Sequence, residues 1–401
     1  MTTTTNNEQK KLNVPNLRFK EFQGEWEKCK LGDYGKVVTG NTPPTKDIEN
    51  YENGTYLWAS PADLGTIKSI TETKTMLSAQ GFSKTRTLPK GSVLVTCIGS
   101  TIGKTGMATK EMSTNQQINS IVVNDNNDNE FVYYAIQSAF PRYLSSIAVQ
   151  AVPIISKSAF ELLPNNRPYL QEQKKIGKFL SLLDERIATQ NKIIEDLKEL
   201  KSAIIEEHYR QTEKNEVCVA DLGNHFNVGN LAKDDLSETG KPCIIYGELF
   251  TTYGEIISQI ESHTNKTEGM ILSKKGDLLF PSSTTVDAVS LIAPSVINVD
   301  NVILGGDMFG IHISHNYNAQ YLSYYFNHIA KKQLAKFAKG STIIHLHYTD
   351  IEKAKLLLPS LEEQNRMAKC LVALDKKVSV EQNLLSSLTC QKSYLLQQMF
   401  I

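Results

Sequence analysis

The chain has 401 residues with 43 basic and 43 acidic side chains, and this zero net charge argues against a simple polyanion binder. Forty per cent of the residues are apolar and 21% are charged, a composition that excludes a disordered or fibrous chain. Two or three domains are expected at this length, and no apolar run approaches the ~18 residues that cross a bilayer. The six cysteines are scattered without a C-x-x-C pair, so we expect a reducing, cytoplasmic location and no membrane association.

Residues 1–15 form the first predicted segment. They begin with a polar stretch, Met1 to Asn7, that lacks the apolar centre of a signal peptide. We therefore expect a flexible N-terminal tail.

The rest of the chain repeats itself. Residues 170–210 return as residues 361–401, and Leu361 follows Leu170 by 191 residues. The same offset places Leu31-Gly32 over Leu222-Gly223, far upstream in each half. A fixed internal period predicts two copies of one structural unit.

Residues 16–167 are predicted to form the first globular domain, of mixed α/β character. A β-rich run at 92–95 follows a lysine-glycine turn, and a short amphipathic helix is predicted at 130–139. Residues 211–358 are predicted to form the second, with a matching run at 277–280 and a helix at 319–338. The loops at 39–63 and 228–248 share little sequence, which indicates unlike recognition surfaces on a common scaffold.

Residues 168–210 and 359–401 are each predicted to form one long helix. Apolar residues recur in steps of three and four over about 40 residues, the coiled-coil pattern. Pro168 and Pro359 stand at the starts, and Ser360 with Glu363 matches a capping box. A helix packed only on its own domain is the alternative.

Polar residues interrupt the two helical seams at matching positions. Gln190 matches Glu381, and Lys201 matches Lys392. Buried polar groups in a seam fix register at a cost in stability. Since Gln190 and Glu381 stand at the midpoints of their seams, we predict an antiparallel coiled coil in which they lie near the crossing centre.

Three motifs suggest chemistry but lack what that chemistry needs. The segment 99–105 resembles a phosphate-binding loop with one residue too few between its glycines. The segment 42–45 has two prolines but not the polar and aromatic neighbours of an adenine methyltransferase motif. His345 and His347 alternate on one strand face, which favours a satisfied or DNA-facing pair over a metal site. We expect no catalytic centre and no metal.

Binding is expected from local basic patches and from the divergent loops. Lysines precede Gly340 in the densest basic cluster, where a continuous helix would place Lys332, Lys336 and Lys339 on one face. A solvated helix face is the alternative. The DNA-binding candidates are Thr42, Lys46, Ser60, Lys84, Arg86, Lys104, Arg142, Lys332, Lys336, Lys339, Ser341 and Thr342.

Several segments together resemble specificity subunits of type I restriction–modification enzymes. The segment 40–45, followed by Trp58 and the run 88–94, is similar to the opening of their target recognition domains. The starts of both long helices, Pro-x-Leu-x-Glu-Gln at 168–173 and 359–364, and the C-terminal 395–401 continue the resemblance over nearly the whole chain. The second half departs from the pattern at 228–231, which lacks the Thr-Pro.

The resemblance implies an α+β fold with a pseudo-two-fold internal repeat: two target recognition domains joined by two long helices that act as spacers. It implies a non-catalytic subunit that binds a bipartite asymmetric site in double-stranded DNA. The implied partners are two modification (methyltransferase) subunits and restriction (translocase and nuclease) subunits. S-adenosylmethionine, ATP and Mg²⁺ would be used by those partners, and this chain would bind no cofactor.

Two other functions remain open from the sequence. One is a coiled-coil adaptor whose globular domains bind proteins rather than DNA, which the zero net charge favours. The other is a methyltransferase fused to its own recognition domain, for which the sequence lacks the motifs.

Overall fold

The computed structural model describes residues 12–65, 67–146 and 153–401, and the chain divides into two compact units. Unit 1 contains residues up to Asn191 together with Asn383–Ile401, and unit 2 contains Lys192–Gln382. Residues 1–11 of the predicted tail lie outside the described residues. Across the described ranges, no helix has the length and apolar character needed to traverse a lipid bilayer.

Among the described residues, unit 1 contains ten short strands beside its helices, because many of its apolar residues occur in short runs between turn-forming residues. The strands are β1 (Glu27–Lys30), β2 (Gly35–Thr39), β3 (Tyr56–Ala59), β4 (Ser69–Ile70), β5 (Thr75–Leu77), β6 (Val93–Thr96), β7 (Thr105–Ala108), β8 (Ser113–Thr114), β9 (Ile118–Val123) and β10 (Pro164–Arg167). The helices are α1 (Ala79–Ser83), α2 (Asn129–Ser146), α3 (Lys157–Glu161) and the first part of α4 (Leu170–Gln211).

The main sheet of unit 1 has the strand order β2-β9-β6-β7-β4. Strand β6 is buried along its whole length, so its first three residues are all apolar rather than alternating with polar ones. Val93 and Val95 face the core that contains Phe131 of α2, whereas Leu94 faces a second core with Leu57. Side chains on both faces of the sheet therefore hold β6 in place.

Unit 2 repeats this construction. The strands are β11 (Asn215–Cys218), β12 (Gly223–Asn227), β13 (Leu236–Ser237), β14 (Lys241–Ile245), β15 (Ile256–Ile257), β16 (Ser262–Thr264), β17 (Ile271–Leu272), β18 (Asp277–Pro281), β19 (Ser283–Thr284), β20 (Ser295–Ile297), β21 (Ile303–Gly305), β22 (Met308–Ile313), β23 (Ile344–His345) and β24 (Lys355–Leu358). The helices are α5 (Glu248–Thr251), α6 (Ala288–Leu291), α7 (Ala319–His328), α8 (Lys331–Leu334), α9 (Tyr348–Ile351) and the first part of α10 (Leu361–Gln398). The last part of α4 also belongs to unit 2, and the last part of α10 belongs to unit 1.

The main sheet of unit 2, β12-β22-β18-β20-β15, has the same order as that of unit 1. Gly35 pairs with Val123 at the start of β2, and Gly223 pairs with Ile313 at the start of β12. A Cβ at Gly35 would stand 2.1 Å from a carbonyl oxygen, and one at Gly223 would stand 1.9 Å from another. The internal repeat is confirmed, but Gly223 corresponds to Gly35 rather than to Gly32. The offset of 191 fails here because the segment from this glycine to the start of the long helix is three residues shorter in the first half (35 to 170) than in the second (223 to 361).

The two predicted long helices are confirmed as α4 and α10. Their buried positions follow the heptads, with Ile176, Leu180 and Ile194 on α4, and Leu371 and Val378 among those on α10. Apolar side chains spaced by three and four residues lie on one side of a helix, so the seam follows from the sequence.

The helices run antiparallel where they meet in unit 2. Lys201 of α4 binds Asp375 of α10 with a 2.9 Å contact, and His208 binds Glu363 at 3.1 Å. Lys201 comes before His208 on α4, whereas Asp375 comes after Glu363 on α10, so the two helices run in opposite directions. This confirms the predicted antiparallel orientation. Gln190 in unit 1 and Glu381 in unit 2 are both buried. Their role in setting register stays a prediction, as does that of Lys201 and Lys392.

A Tyr–Asp–Lys cluster fixes α4 to the rest of unit 1. The Tyr134 hydroxyl donates to Asp184 Oδ2 at 2.6 Å, and Lys392 Nζ lies 2.6 Å from Asp184 Oδ1. Lys68 reaches the same hydroxyl and forms an ion pair with Glu130 at 2.8 Å. One group of polar side chains thereby joins the loop before β4, which carries Lys68, to α2 and to both long helices.

The equivalent Tyr–Asp–Lys cluster in unit 2 is formed by Tyr324, Asp375 and Lys201. Lys201 Nζ also lies 2.9 Å from Glu255 Oε1, and His328 Nε2 contacts the same carboxylate oxygen at 2.9 Å. Burial opposes ionisation of Glu255, but His328 and Lys201 outweigh it and lower the pKa of that carboxyl to about 2.

The glutamine that ends each Pro-x-Leu-x-Glu-Gln motif is buried and fully engaged. Gln173 accepts from the Asp128 amide at 3.0 Å and donates to the Pro168 carbonyl at 2.9 Å. Gln364 accepts from the Asn318 amide at 2.9 Å and donates to its own proline carbonyl at 2.9 Å. Each glutamine thus ties the start of a long helix to the start of α2 or α7.

The helix predicted at 319–338 is wrong as a continuous element. Helix α7 ends at His328, α8 covers Lys331–Leu334, and a 3₁₀ turn follows. The Ile329 and Ala330 amides both bond to the Tyr325 carbonyl, and this wide turn interrupts the regular ladder. The lysines beyond it therefore do not share one helix face.

Candidate nucleic-acid interface

In unit 1 the loop after β2 is organised around Asn41. The Asn41 amide donates to the Lys84 carbonyl at 2.9 Å and accepts from the Arg86 backbone amide at 2.9 Å. Arg86 also donates through Nη1 to the Thr39 carbonyl at 2.8 Å. The structure therefore brings two candidate cations to one exposed loop.

The remaining loop candidates differ in how free their side chains are. The Thr42 hydroxyl donates to the exposed Gln116 amide, and Lys46 is exposed. The Ser60 hydroxyl donates to Asp63 Oδ2 at 2.7 Å, which commits it to a local turn. Thr42 and Lys46 are accordingly better placed than Ser60 to meet a ligand.

Lys104 and Arg142 occupy a different part of unit 1. Lys104 is exposed in the β6–β7 turn beside Gly103, where an added Cβ would stand 2.6 Å from Phe140. Arg142 is exposed near the end of α2, two residues after Phe140. Among the described residues, no hydrogen bond links either side chain to the Asn41 loop. The segment 99–105, which resembles a phosphate-binding loop in sequence, lies in the turn between β6 and β7 and reaches the first residue of β7.

In unit 2, Lys339 and His345 exchange backbone hydrogen bonds at 2.9 and 2.7 Å. Gly340 has φ +114°, and a Cβ there would stand 2.0 Å from the Ile343 carbonyl oxygen, so the tight turn requires glycine. The turn leaves Ser341 and Thr342 exposed at its tip. Both candidates are therefore accessible to a ligand.

A hollow of about 500 Å³ lies beside this turn, lined by Lys339, His345, His347, Asp350 and Asp307 among others. The two histidine rings lie nearly parallel with centroids 6.1 Å apart. The Lys339 ammonium and the His347 backbone amide donate to Asp350 and lower the pKa of its carboxyl. Part of the lysine charge is therefore already neutralised. In the described part of the chain, no group of three or more His, Cys, Asp or Glu side chains is arranged to hold a metal.

Two further hollows adjoin the first through Asp307. One, of about 320 Å³, is lined by His225 and Tyr348, whose rings stack at 4.1 Å. Burial lowers the pKa of His225. The other, of about 470 Å³, is lined by Gly229, Asn230 and Tyr246. We call the three together the Asp307 groove.

Lys332 and Lys336 are exposed on α8 and on the 3₁₀ turn that follows it. With Lys339 they supply positive charge from three successive backbone elements rather than from one helix face. Their predicted role in binding stays a prediction, as do those of the other candidates.

The sequence analysis missed Asp307, Tyr246, His225 and Tyr348. Asp307 and Tyr246 lie in loops, His225 lies in β12 and Tyr348 begins α9. The sequences of these segments differ between the halves, so the internal repeat could not indicate them. The available signal was position, since Asp307 comes directly before β22, the counterpart of β9.

These loops stand on a duplicated scaffold, and a family model describes it. The model of the type I restriction modification DNA specificity domain matches residues 23–199 and again residues 212–389. The chain belongs to this family, and the resemblance stated from its sequence is confirmed.

The relatives that are similar to this chain in sequence include specificity subunits of type I restriction enzymes. Over 404 residues the chain is 24% identical to the type I restriction enzyme MjaVIII specificity subunit of Methanocaldococcus jannaschii, with 90% of each chain covered. Over 185 residues it is 29% identical to the HindI specificity subunit of Haemophilus influenzae, covering 44% of this chain and 39% of that one. The fold is similar to that of the type I restriction–modification S subunit from M. genitalium, with a TM-score of 0.64, 18% identity and 97% and 99% coverage.

Proposed function

We propose that this chain is the DNA-sequence specificity subunit of a type I restriction–modification complex and that each unit reads one half of a bipartite, asymmetric site. The observation that carries the proposal is that the main sheets of the two units have the same strand order, whereas the loops beside them differ in sequence. Unit 1 presents amides at residues 115–117, whereas unit 2 presents two glycines and an aspartate at 305–307. A shared scaffold gives both units one docking mode, and different loop side chains give two base choices.

The assembly we propose contains two modification subunits and the restriction subunits, in the cytoplasm. This chain is its non-catalytic member. S-adenosylmethionine serves the modification subunits, ATP and Mg²⁺ serve the partners, and this chain binds none of them. Helices α4 and α10 set the spacing between the half-sites, because module geometry determines half-site separation.

The charge distribution fits binding within a complex better than binding by the chain alone. The net charge is zero, and Lys84, Lys339 and Lys201 all have carboxylate partners within the chain. Phosphate contacts supply most of the affinity of DNA-binding proteins. We therefore expect the modification subunits to supply much of the positive charge, with this chain supplying base choice.

The test is single-molecule methylome sequencing of a restriction-deficient host that carries the modification gene with and without the gene for this chain. A methyladenine signal on a gapped, asymmetric motif that depends on this chain supports the proposal. The modification protein must be shown to be active beside another specificity subunit. With that control in place, absence of a new motif would favour the adaptor function.

A further inference from the structure

We propose that Asp307 is a specificity-determining residue of unit 2 and accepts a hydrogen bond from the N4 amine of a cytosine in the half-site. The inference rests on the proposed function and adds the identity of one base to it. It comes from the chemistry of one position that the two units share.

Asp307 and Gln117 occupy equivalent positions. Gln117 comes directly before β9 and Asp307 directly before β22, the matching strands of the two main sheets. The Gln117 carbonyl accepts from the Cys97 amide at 2.8 Å, and the Asp307 carbonyl accepts from the Ser282 amide at 2.8 Å. Cys97 follows β6 and Ser282 follows β18, which are again equivalent strands. The backbone is therefore held in the same way while the side chain differs.

The two side chains differ in whether they are already engaged. The Gln117 amide oxygen accepts from Asn115 Nδ2 at 3.0 Å. The Asp307 side chain forms no hydrogen bond or ion pair with any residue that the structure describes. It is partly exposed and lines all three hollows of the Asp307 groove. Its carboxylate is thus available to a ligand from each side.

A carboxylate is an unexpected group for a surface that meets DNA, because phosphates repel it. It contributes to binding only if it accepts a hydrogen bond from a base. An ionised carboxylate only accepts, and the major-groove edge of cytosine presents the N4 amine as a donor. Guanine and thymine present acceptors, and adenine places the N7 acceptor beside its amine. Asp307 therefore selects cytosine against the other three bases.

Neighbouring residues fit this assignment. Lys339, the cation of the groove, is paired with Asp350 rather than with Asp307. Gly306 precedes Asp307 with φ +92°, and Gly229 lies opposite, where its carbonyl accepts from the Gly306 amide at 3.0 Å. A Cβ at Gly306 would stand 3.0 Å from the Tyr246 ring, so this left-handed position favours glycine, and the turn that carries Asp307 depends on it.

The test uses the complex of this chain with its modification subunit, and duplexes that carry the motif found by methylome sequencing. Each recognised position is replaced in turn by the three other bases, and methylation rates are measured. Asp307→Ala and Asp307→Asn are compared with Asp196→Asn, a change at an exposed helix residue paired with Lys192.

The unaltered chain should discriminate against non-cytosine bases at one position by about 5- to 150-fold, the range of one good base contact. Asp307→Ala should reduce that ratio to near one while leaving every other position unchanged. Asp307→Asn should shift the preference toward adenine, since an amide both donates and accepts. Asp196→Asn should leave all ratios unchanged.

Unchanged discrimination ratios in Asp307→Ala, or a change centred on a base other than cytosine, would overturn the inference about Asp307. Neither result would affect the proposed function. Equal loss of methylation on all duplexes, cognate included, would also overturn it, because Asp307 would then act in folding or assembly. Absence of any chain-dependent motif with the unaltered protein would overturn the proposed function itself.

Discussion

Lys201→Met tests the Tyr–Asp–Lys cluster of unit 2 directly. The substitution keeps the unbranched apolar part of the side chain but removes the ammonium that lies 2.9 Å from both Asp375 and Glu255. The side chains of Lys201 and Glu255 are only 12% and 18% exposed, so solvent replaces little of the lost interaction. Two carboxylates would then remain close together, with His328 as the remaining side-chain partner of Glu255.

The expected loss follows from the pKa of Glu255. A pKa lowered from 4.5 to about 2 corresponds to about 3 kcal/mol of folding free energy at neutral pH. His328 retains part of this contribution and Asp375 is 30% exposed, so we expect a loss of about 2–3 kcal/mol. For a unit of this size, that lowers the melting temperature by about 4–12 °C.

The assay is urea unfolding followed by circular dichroism at pH 7, 5 and 4, with thermal melts at pH 7. Because the pKa of Glu255 is lower in the folded than in the unfolded protein, its stabilisation is present above pH 4.5 and is lost as the pH falls through about 2. The difference between Lys201→Met and the unaltered protein should therefore narrow by about 1 kcal/mol at pH 4.

Lys198→Met is the matched control, since Lys198 is exposed on the same helix. The double variant Lys201→Met/Glu255→Gln should recover part of the lost stability, because it removes one of the two facing carboxylates. A melting temperature for Lys201→Met that equals that of Lys198→Met would refute the reasoning. So would a difference between the variant and the unaltered protein that is the same at pH 4 as at pH 7.

Three further predictions concern other parts of the chain. Gln173→Ala and Gln364→Ala should each lower the free energy of unfolding by about 1–3 kcal/mol, because each leaves a partly buried backbone amide and a buried proline carbonyl without that partner. A loss below about 0.5 kcal/mol in urea titrations would contradict this. If Lys332 and Lys336 contact phosphates, changing either to alanine should lower the salt slope of duplex binding by about one, with a smaller effect for Lys339 because Asp350 already pairs with it. A seven-residue insertion in α4 adds about 10 Å of helix and should change the half-site spacing in the methylome, whereas altered bases with unchanged spacing would refute the spacer role.

The long helices could be predicted because an apolar period persists over many turns, and only a helix satisfies it. The Tyr–Asp–Lys clusters could not be predicted, because Tyr134, Asp184 and Lys392 lie far apart in the sequence. The sequence shows that Asp184 repeats as Asp375. An aspartate on a helix is ordinarily solvated, however, so its structural role could be recognised only from its tyrosine and lysine partners. The interruption after α7 depends on a single carbonyl, that of Tyr325, which no periodicity reveals.

Recognition residues were the least predictable. Basic side chains could be named because phosphate attraction depends on charge alone, and all of the basic candidates are exposed. Of the four hydroxyl candidates, Ser341 and Thr342 are exposed, whereas Thr42 and Ser60 are partly buried. Asp307 could not be predicted because its negative charge repels DNA phosphates. It also follows two glycines in a loop whose sequence differs from that of the equivalent loop in unit 1. Its position emerges only when β22 is seen to match β9.

The long helix of each half carries one aspartate and one lysine that form ion pairs with the other long helix. Helix α4 has Asp184 near its start and Lys201 nearer its end, and α10 has Asp375 and Lys392 in the same order. Asp184 binds Lys392, and Asp375 binds Lys201, so every aspartate takes its lysine from the other helix. Two copies of a single half would satisfy the same requirement for each other. Each copy would supply the lysine that pairs with the other copy's aspartate, so the pairing that joins the two long helices does not depend on the differences between the halves.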